Sequence, residues 1–174
     1  LYATAHPHRL SRLILVTPGL AAVDVVDAGN RSALDRRVTE PWYPVARAAL
    51  ERIFGGDLSM EMFRASRPLC YGRWDEGAQA HATVGMAKRH LAARRGYFAD
   101  VVLEPAATRA ALAELSAPVL LYAGDMDPMV TPAMVREAAR LCLDATVVVQ
   151  PGAAHFPWLD DPAAFTGAVR SFLG

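Results

Sequence analysis

Two residues in the last third of the sequence have the types and the setting for acid–base chemistry. Asp127 lies in Leu120-Leu121-Tyr122-Ala123-Gly124-Asp125-Met126-Asp127-Pro128, and His155 lies in Val148-Val149-Gln150-Pro151-Gly152-Ala153-Ala154-His155-Phe156-Pro157-Trp158. Each follows an apolar run that reads as a buried strand, just past that strand's C-terminal end, where open parallel sheets place ligands and chemistry. A histidine held there by a carboxylate takes a proton from a hydroxyl and returns it to a leaving group, while the acid fixes its tautomer and orientation. Each residue also has a plainer reading, Asp127 as turn chemistry and His155 as loop filler. Together they say more than either does alone. They are 28 positions apart, which leaves room for one helix and one strand and returns both side chains to one sheet edge. Gly152 and the small Ala153 and Ala154 allow a tight turn just before the histidine. His155 has no second His or Cys at ligand spacing, which argues against a zinc site.

The elements that would position this pair read as follows. Residues 1–5 form the tail of a helix that Pro7 stops. Leu13-Ile14-Leu15-Val16 is an unbroken apolar run, as in a strand covered on both faces. From about Leu20 to Pro105 the strand signal disappears. Pro44 to Phe54 is expected to be a helix with Val45, Ala49 and Ile53 on one face, ended by Gly55-Gly56. Asp75 to Val84 and Lys88 to Arg95 read as further helices, the second stopped by Gly96. Thereafter helix and strand alternate: helix from Ala106 to Leu115, and strand from Val119 to Ala123. A helix follows, capped by Thr131 and Pro132, with Val135, Ala138, Ala139 and Cys142 at helical spacing. The strand Thr146 to Val149 leads to a last helix after Asp161-Pro162, with Phe165, Ala168, Val169 and Phe172 as its apolar stripe. This alternation implies an α/β fold with a parallel sheet. The chain divides into residues 1–19 (core), 20–105 (an inserted helical cap) and 106–174 (core).

The chain has 174 residues, 53% of them hydrophobic, enough for one domain core. Its 18 Lys and Arg balance 18 Asp and Glu, which argues against nucleic acid or an anionic membrane surface as partner. Lys88 is the only lysine. No apolar stretch is long enough for a membrane span. Cys70 and Cys142 have no metal spacing and no sequence neighbour that would make either a nucleophile. They suit a reducing, cytoplasmic setting and leave a single bridge open.

The sequence resembles α/β-hydrolase-fold enzymes. The residues that carry the resemblance are His6-Pro7-His8-Arg9-Leu10 before a strand, Gly124-x-x-Asp127, and Gly152-Ala153-Ala154-His155-Phe156-Pro157-Trp158 with Asp160, Asp161 and Pro162. The chain departs from many relatives at Ala154, where they carry Gly. Tyr71-Gly72-Arg73-Trp74-Asp75-Glu76 is loosely similar to proline iminopeptidase-like members. The resemblance prefers Asp127 over Asp125 as the triad acid and makes His155 the base. No G-x-S-x-G occurs in the sequence, so the resemblance implies the C-terminal portion of a larger enzyme, with the nucleophile about eight residues upstream of Leu1.

It implies a serine hydrolase cleaving an ester or amide in a small molecule or short peptide, through an acyl-serine intermediate and without cofactor or metal. An aminopeptidase is the favoured form, and the fragment alone is expected to be inactive. The alternatives are an aspartate-nucleophile epoxide hydrolase or haloalkane dehalogenase, and a non-catalytic ligand-binding protein. Trp74, Phe156 and Trp158 are candidates for the substrate pocket, and packing of Phe156 and Trp158 against the last helix competes with that reading. Glu40, Glu51, Glu61 and Glu76 could supply a carboxylate for a substrate amine, or could simply be solvated. His6, His8, His81 and His90 read as surface.

Overall fold

The structure is a computed structural model that describes residues 2–26, 32–88 and 102–174. Three strands form its sheet: β1 (Leu13–Val16), β2 (Val119–Gly124) and β3 (Ala145–Gln150), all parallel, in the order β1-β2-β3. Every residue of β2 is buried, as its unbroken apolar sequence requires of a central strand, whereas β1 is half-buried throughout. Alternate residues of β2 serve different layers. Val119, Leu121 and Ala123 join the largest core cluster with Leu20, Val23, Leu115, Val130 and Val135. Tyr122 faces the other way, its ring 5.1 Å from that of Phe165.

Helices α1 (Tyr2–Ala5), α2 (Tyr43–Phe54), α3 (Met60–Ala65) and α4 (Glu76–Ala87) precede β2, as does α5 (Pro105–Ala113). Helix α6 (Pro132–Ala139) links β2 to β3, and α7 (Pro157–Asp160) and α8 (Pro162–Leu173) end the chain. Thr131 and Asp161 cap their helices as the sequence suggests, and Asp75 caps a third. Thr131 accepts from the Met134 N–H, Asp75 from Ala78, and Asp161 from Ala163 and Ala164. Between β1 and β2 the described residues contain no strand, only α-helices and short 3₁₀ turns such as Ser32–Arg37 and Arg67–Cys70.

Several expectations need correction. In α2 the buried face is Tyr43, Ala46, Ala49, Leu50 and Ile53, while Val45 is 65% exposed. Leu50 outweighs Val45 in area, and the helix rotates to bury it against Leu34 and Leu69. Helix α6 ends at Ala139, so Cys142 lies beyond it. In α8 the expected stripe is right, since Phe165, Ala168, Val169 and Phe172 are its half-buried residues, yet none is fully buried. Cys70 and Cys142 form no disulfide. The helix expected from Lys88 to Arg95, its stop at Gly96, and His90 lie outside the described residues.

The ends of β2 and β3 approach so closely that only glycine fits at position 124. A Cβ built there would lie 2.3 Å from the Ala153 carbonyl oxygen and 2.4 Å from that of Ala154. Gly124→Ala is therefore expected to lower stability by at least about 1–3 kcal/mol, as overpacking does. Gly167→Ala, in α8 where a Cβ meets nothing within 4 Å, should raise it by up to about 1 kcal/mol. Urea unfolding of both variants checks the opposite signs.

Candidate active site

Strands β2 and β3 run in register to their last pair, Gly124 beside Gln150. Asp127 follows three residues after the first and His155 five residues after the second, so the register alone brings their loops together. The His155 Nδ1 and the Asp127 Oδ2 are 2.8 Å apart. The Asp127 side chain is fully buried and that of His155 is 29% exposed. The other carboxylate oxygen, Oδ1, accepts from the backbone N–H groups of Met129 (2.8 Å) and Val130 (3.1 Å). These bonds explain how a buried carboxylate is tolerated at the head of the Pro128 turn. A carboxylate only accepts, so Nδ1 donates to it, and Nε2 is the ring nitrogen left facing away from the acid. Among the described residues no protein group engages Nε2. A buried acid, an imidazole oriented by it, and a second nitrogen left for a reacting group are an arrangement able to serve as a general base.

Asp125, the competing acid, does different work. Its Oδ1 accepts from the Gly152 N–H (2.8 Å) and its Oδ2 from Arg36 (2.9 Å). It braces the turn before His155, where Gly152 takes the left-handed conformation at φ +71°.

The backbone around His155 is held from three further directions that residue types did not announce. The His155 N–H donates to the Cys70 carbonyl (3.0 Å), which belongs to the segment between β1 and β2. Asp160 is buried and divides its carboxylate between the Gly72 N–H and the Ala154 N–H, both at 2.8 Å. Gly72 permits this contact, since a Cβ there would lie 2.0 Å from the Gly152 carbonyl oxygen. Thr17, at the end of β1, donates its hydroxyl to the His155 carbonyl (3.3 Å). It does so from φ +42°, a strained setting for a β-branched residue of the kind that clusters at functional sites. Beneath the loop, the Tyr122 hydroxyl donates to Gln150 (2.5 Å), whose amide donates to the Pro157 carbonyl (2.9 Å).

The 70–72 strap is itself anchored by Arg37, which is 6% exposed and donates to the Pro68 and Leu69 carbonyls at 3.3 Å. Burial pulls its guanidinium below the usual range, and Asp160 opposes that pull.

The aromatic candidates separate. Phe156 lies against Tyr71 (4.9 Å), His81 (5.0 Å) and the His155 ring (5.4 Å). Trp74 joins this cluster through Tyr71 at 5.4 Å. Trp158 stands between Phe156 and Phe165 of α8, at 5.5 and 6.1 Å, so it also packs on the last helix. His81 is not a surface residue. It is half-buried, with its Nδ1 2.8 Å from the hydroxyl of Tyr71, whose phenol is pushed up by burial. The chain's spacing gave no sign of this, because the partner lies on a neighbouring turn rather than at a motif position. His6 and His8 are exposed, as are Glu40, Glu51, Glu61 and Glu76. Among the described residues no group of His, Cys, Asp and Glu could hold a metal ion, and no helix is long and apolar enough to cross a membrane.

No family model matches the chain, and no curated protein matches it. Solved structures do. The fold resembles that of 2-hydroxy-6-oxo-6-phenylhexa-2,4-dienoate hydrolase from Rhodococcus sp. strain RHA1, with a TM-score of 0.61 at 15% identity over 97% of this chain and 57% of that one. A serine hydrolase from Cycloclasticus zankles matches at TM-score 0.61 and 16% identity, over 98% and 58%. An α/β hydrolase from a Medee basin deep-sea metagenome library matches at TM-score 0.52 and 15% identity, over 99% and 59%. At these identities the likeness is one of fold. The chain spans somewhat under three fifths of the length of these solved chains, 57% to 59%. Its parallel sheet and flanking helices are the C-terminal part of an α/β-hydrolase fold.

Two outcomes follow from this geometry. Proton NMR of the chain should show one far-downfield ring N–H, from His155 Nδ1, and Asp127→Asn should abolish or strongly shift it without unfolding the protein. Asp160→Asn turns one acceptor into a donor facing a backbone N–H. It should cost about 1–3 kcal/mol, with faster amide exchange at Gly72 and Ala154 than at the β2 amides.

Proposed function

We propose that this chain supplies the acid and the base of a serine hydrolase that cleaves an ester. The observation that carries the reading is the 2.8 Å contact between a fully buried Asp127 and His155 beside the ends of adjacent parallel strands. In this reading His155 Nε2 takes the proton of a serine hydroxyl as its oxygen attacks the substrate carbonyl carbon. The imidazolium then hands that proton to the departing alkoxide, leaving an acyl-serine. Water repeats the sequence, giving one proton to His155 and its oxygen to the acyl group, and the serine leaves with the proton returned. Asp127 remains ionised and stabilises the imidazolium. The serine is proposed to lie N-terminal to Leu1, on the elbow that precedes the α1 tail. Residues between β1 and β2 would form the cap over the site, with Phe156 and Trp74 on the substrate side and Trp158 at the α8 edge. The partner is a small molecule.

The aminopeptidase form expected from Tyr71-Gly72-Arg73-Trp74 would need a carboxylate for the free amine. The four candidate glutamates are all exposed, and the aromatic cluster is flanked by Arg67 instead. An ester is therefore favoured over a peptide with a free amino terminus.

The test joins the chain to its upstream coding sequence. A fluorophosphonate should label one serine of the longer protein, and activated esters should be turned over. Asp127→Asn should lower kcat by about ten-thousand-fold, and the 174 residues alone should show no turnover. Absence of labelling together with turnover of an epoxide or haloalkane would replace serine with an aspartate nucleophile. Absence of both would leave a ligand-binding protein.

A further inference from the structure

Outside the acid–histidine pair, the described residues contain a cavity of about 480 Å³ between α3, the Arg67–Cys70 turn and α4, lined by Arg64, Arg67, Trp74, Gln79, Thr83 and Met86 among others. Its walls divide by chemistry. Trp74 and Met86 are apolar, Gln79 and Thr83 are neutral and polar, and the charge is all positive. Among the described residues neither Arg64 nor Arg67 has a carboxylate within ion-pair distance, whereas Arg36, Arg52, Arg73 and Arg109 each do. The guanidinium of Arg67 is held in place. Its carbon lies 5.9 Å from the Tyr71 ring centre and 5.4 Å from that of Phe156. Its Nη2 end lies close to Gly85 of α4, where a built Cβ would be 3.7 Å away. Its Nε is buried with no hydrogen-bond partner. An anion entering the cavity would be bound by charge and by the Nη donors of the planar guanidinium.

Phe156 connects this cavity to the site, because its ring touches both Arg67 and His155, 5.4 Å from each. We propose that the cavity binds the carboxylate end of an apolar or aromatic acid, with Arg67 pairing the carboxylate and Trp74 and Met86 covering the apolar body. If His155 is the base of an esterase, this makes the substrate class an ester that also carries a free carboxylate. That extension rests on the hydrolase reading, while the binding site does not.

The test uses the 174-residue chain and needs no turnover. 4-Phenylbutyrate and its neutral primary amide are titrated by calorimetry and by tryptophan fluorescence, with Trp74→Phe assigning the optical signal. The acid is expected to bind at least tenfold more tightly than the amide and to weaken as NaCl is raised. Arg67→Gln should remove that preference and Arg67→Lys should retain part of it. Equal binding of acid and amide, no binding of the acid at millimolar concentration, or full binding by Arg67→Gln would overturn the proposal. Inorganic phosphate competing as well as the acid would overturn the apolar part of it. Because the acid–amide comparison is made on the unaltered chain, it stands even where a variant misfolds. Failure here leaves fluorophosphonate labelling of the longer protein untouched, and failure of labelling leaves this binding result untouched.

Discussion

The site depends on the pairing of β2 with β3. Two parallel strands in register end at Gly124 and Gln150, and the loops leaving them have one tight way to pack. Gly124 accepts the carbonyls of Ala153 and Ala154 at distances no side chain would allow. With that approach fixed, Asp127 and His155 meet at 2.8 Å. Shifting the register by one residue would turn each β2 side chain to the opposite face and part the pair. The core cluster against Val119, Leu121 and Ala123 is what resists such a shift.

The histidine loop is held by more than its acid. Asp125 braces Gly152, Thr17 reaches the His155 carbonyl, and Asp160 and Cys70 bind the loop to the strap at residues 70–72. The strap in turn hangs on the buried Arg37. Most of these bonds end on backbone groups. A catalytic side chain needs its geometry held to a fraction of an ångström, and supporting bonds of this kind supply that rigidity. They also couple the segment between β1 and β2 to His155, so displacement of the strap would disturb that residue directly.

Much of this was legible in the sequence. Unbroken apolar runs marked all three strands, and Thr131 and Asp161 announced helix starts through their capping chemistry. The resemblance to α/β hydrolases is what preferred Asp127, three residues after Gly124, over Asp125. What escaped detection has a common cause. Asp160 serves N–H groups as far as 88 residues away, and a backbone donor leaves no residue-type signature. His81 read as surface, and Arg37 drew no reading, because their partners, a tyrosine hydroxyl and two carbonyls, come from separate turns brought together only by packing. Val45 was misassigned because an alanine-rich helix offers two plausible faces, and Leu50 decided between them.

In the proposed hydrolase, Asp127 acts only through His155. A double-mutant cycle in the protein carrying its nucleophile tests it directly, using kcat/KM for an activated ester with Asp127→Ala, His155→Ala and both together. Residues that work as one unit are strongly non-additive. Adding Asp127→Ala to His155→Ala is therefore expected to cost little further activity. Losses that multiply, as for two independent sites, would contradict the account.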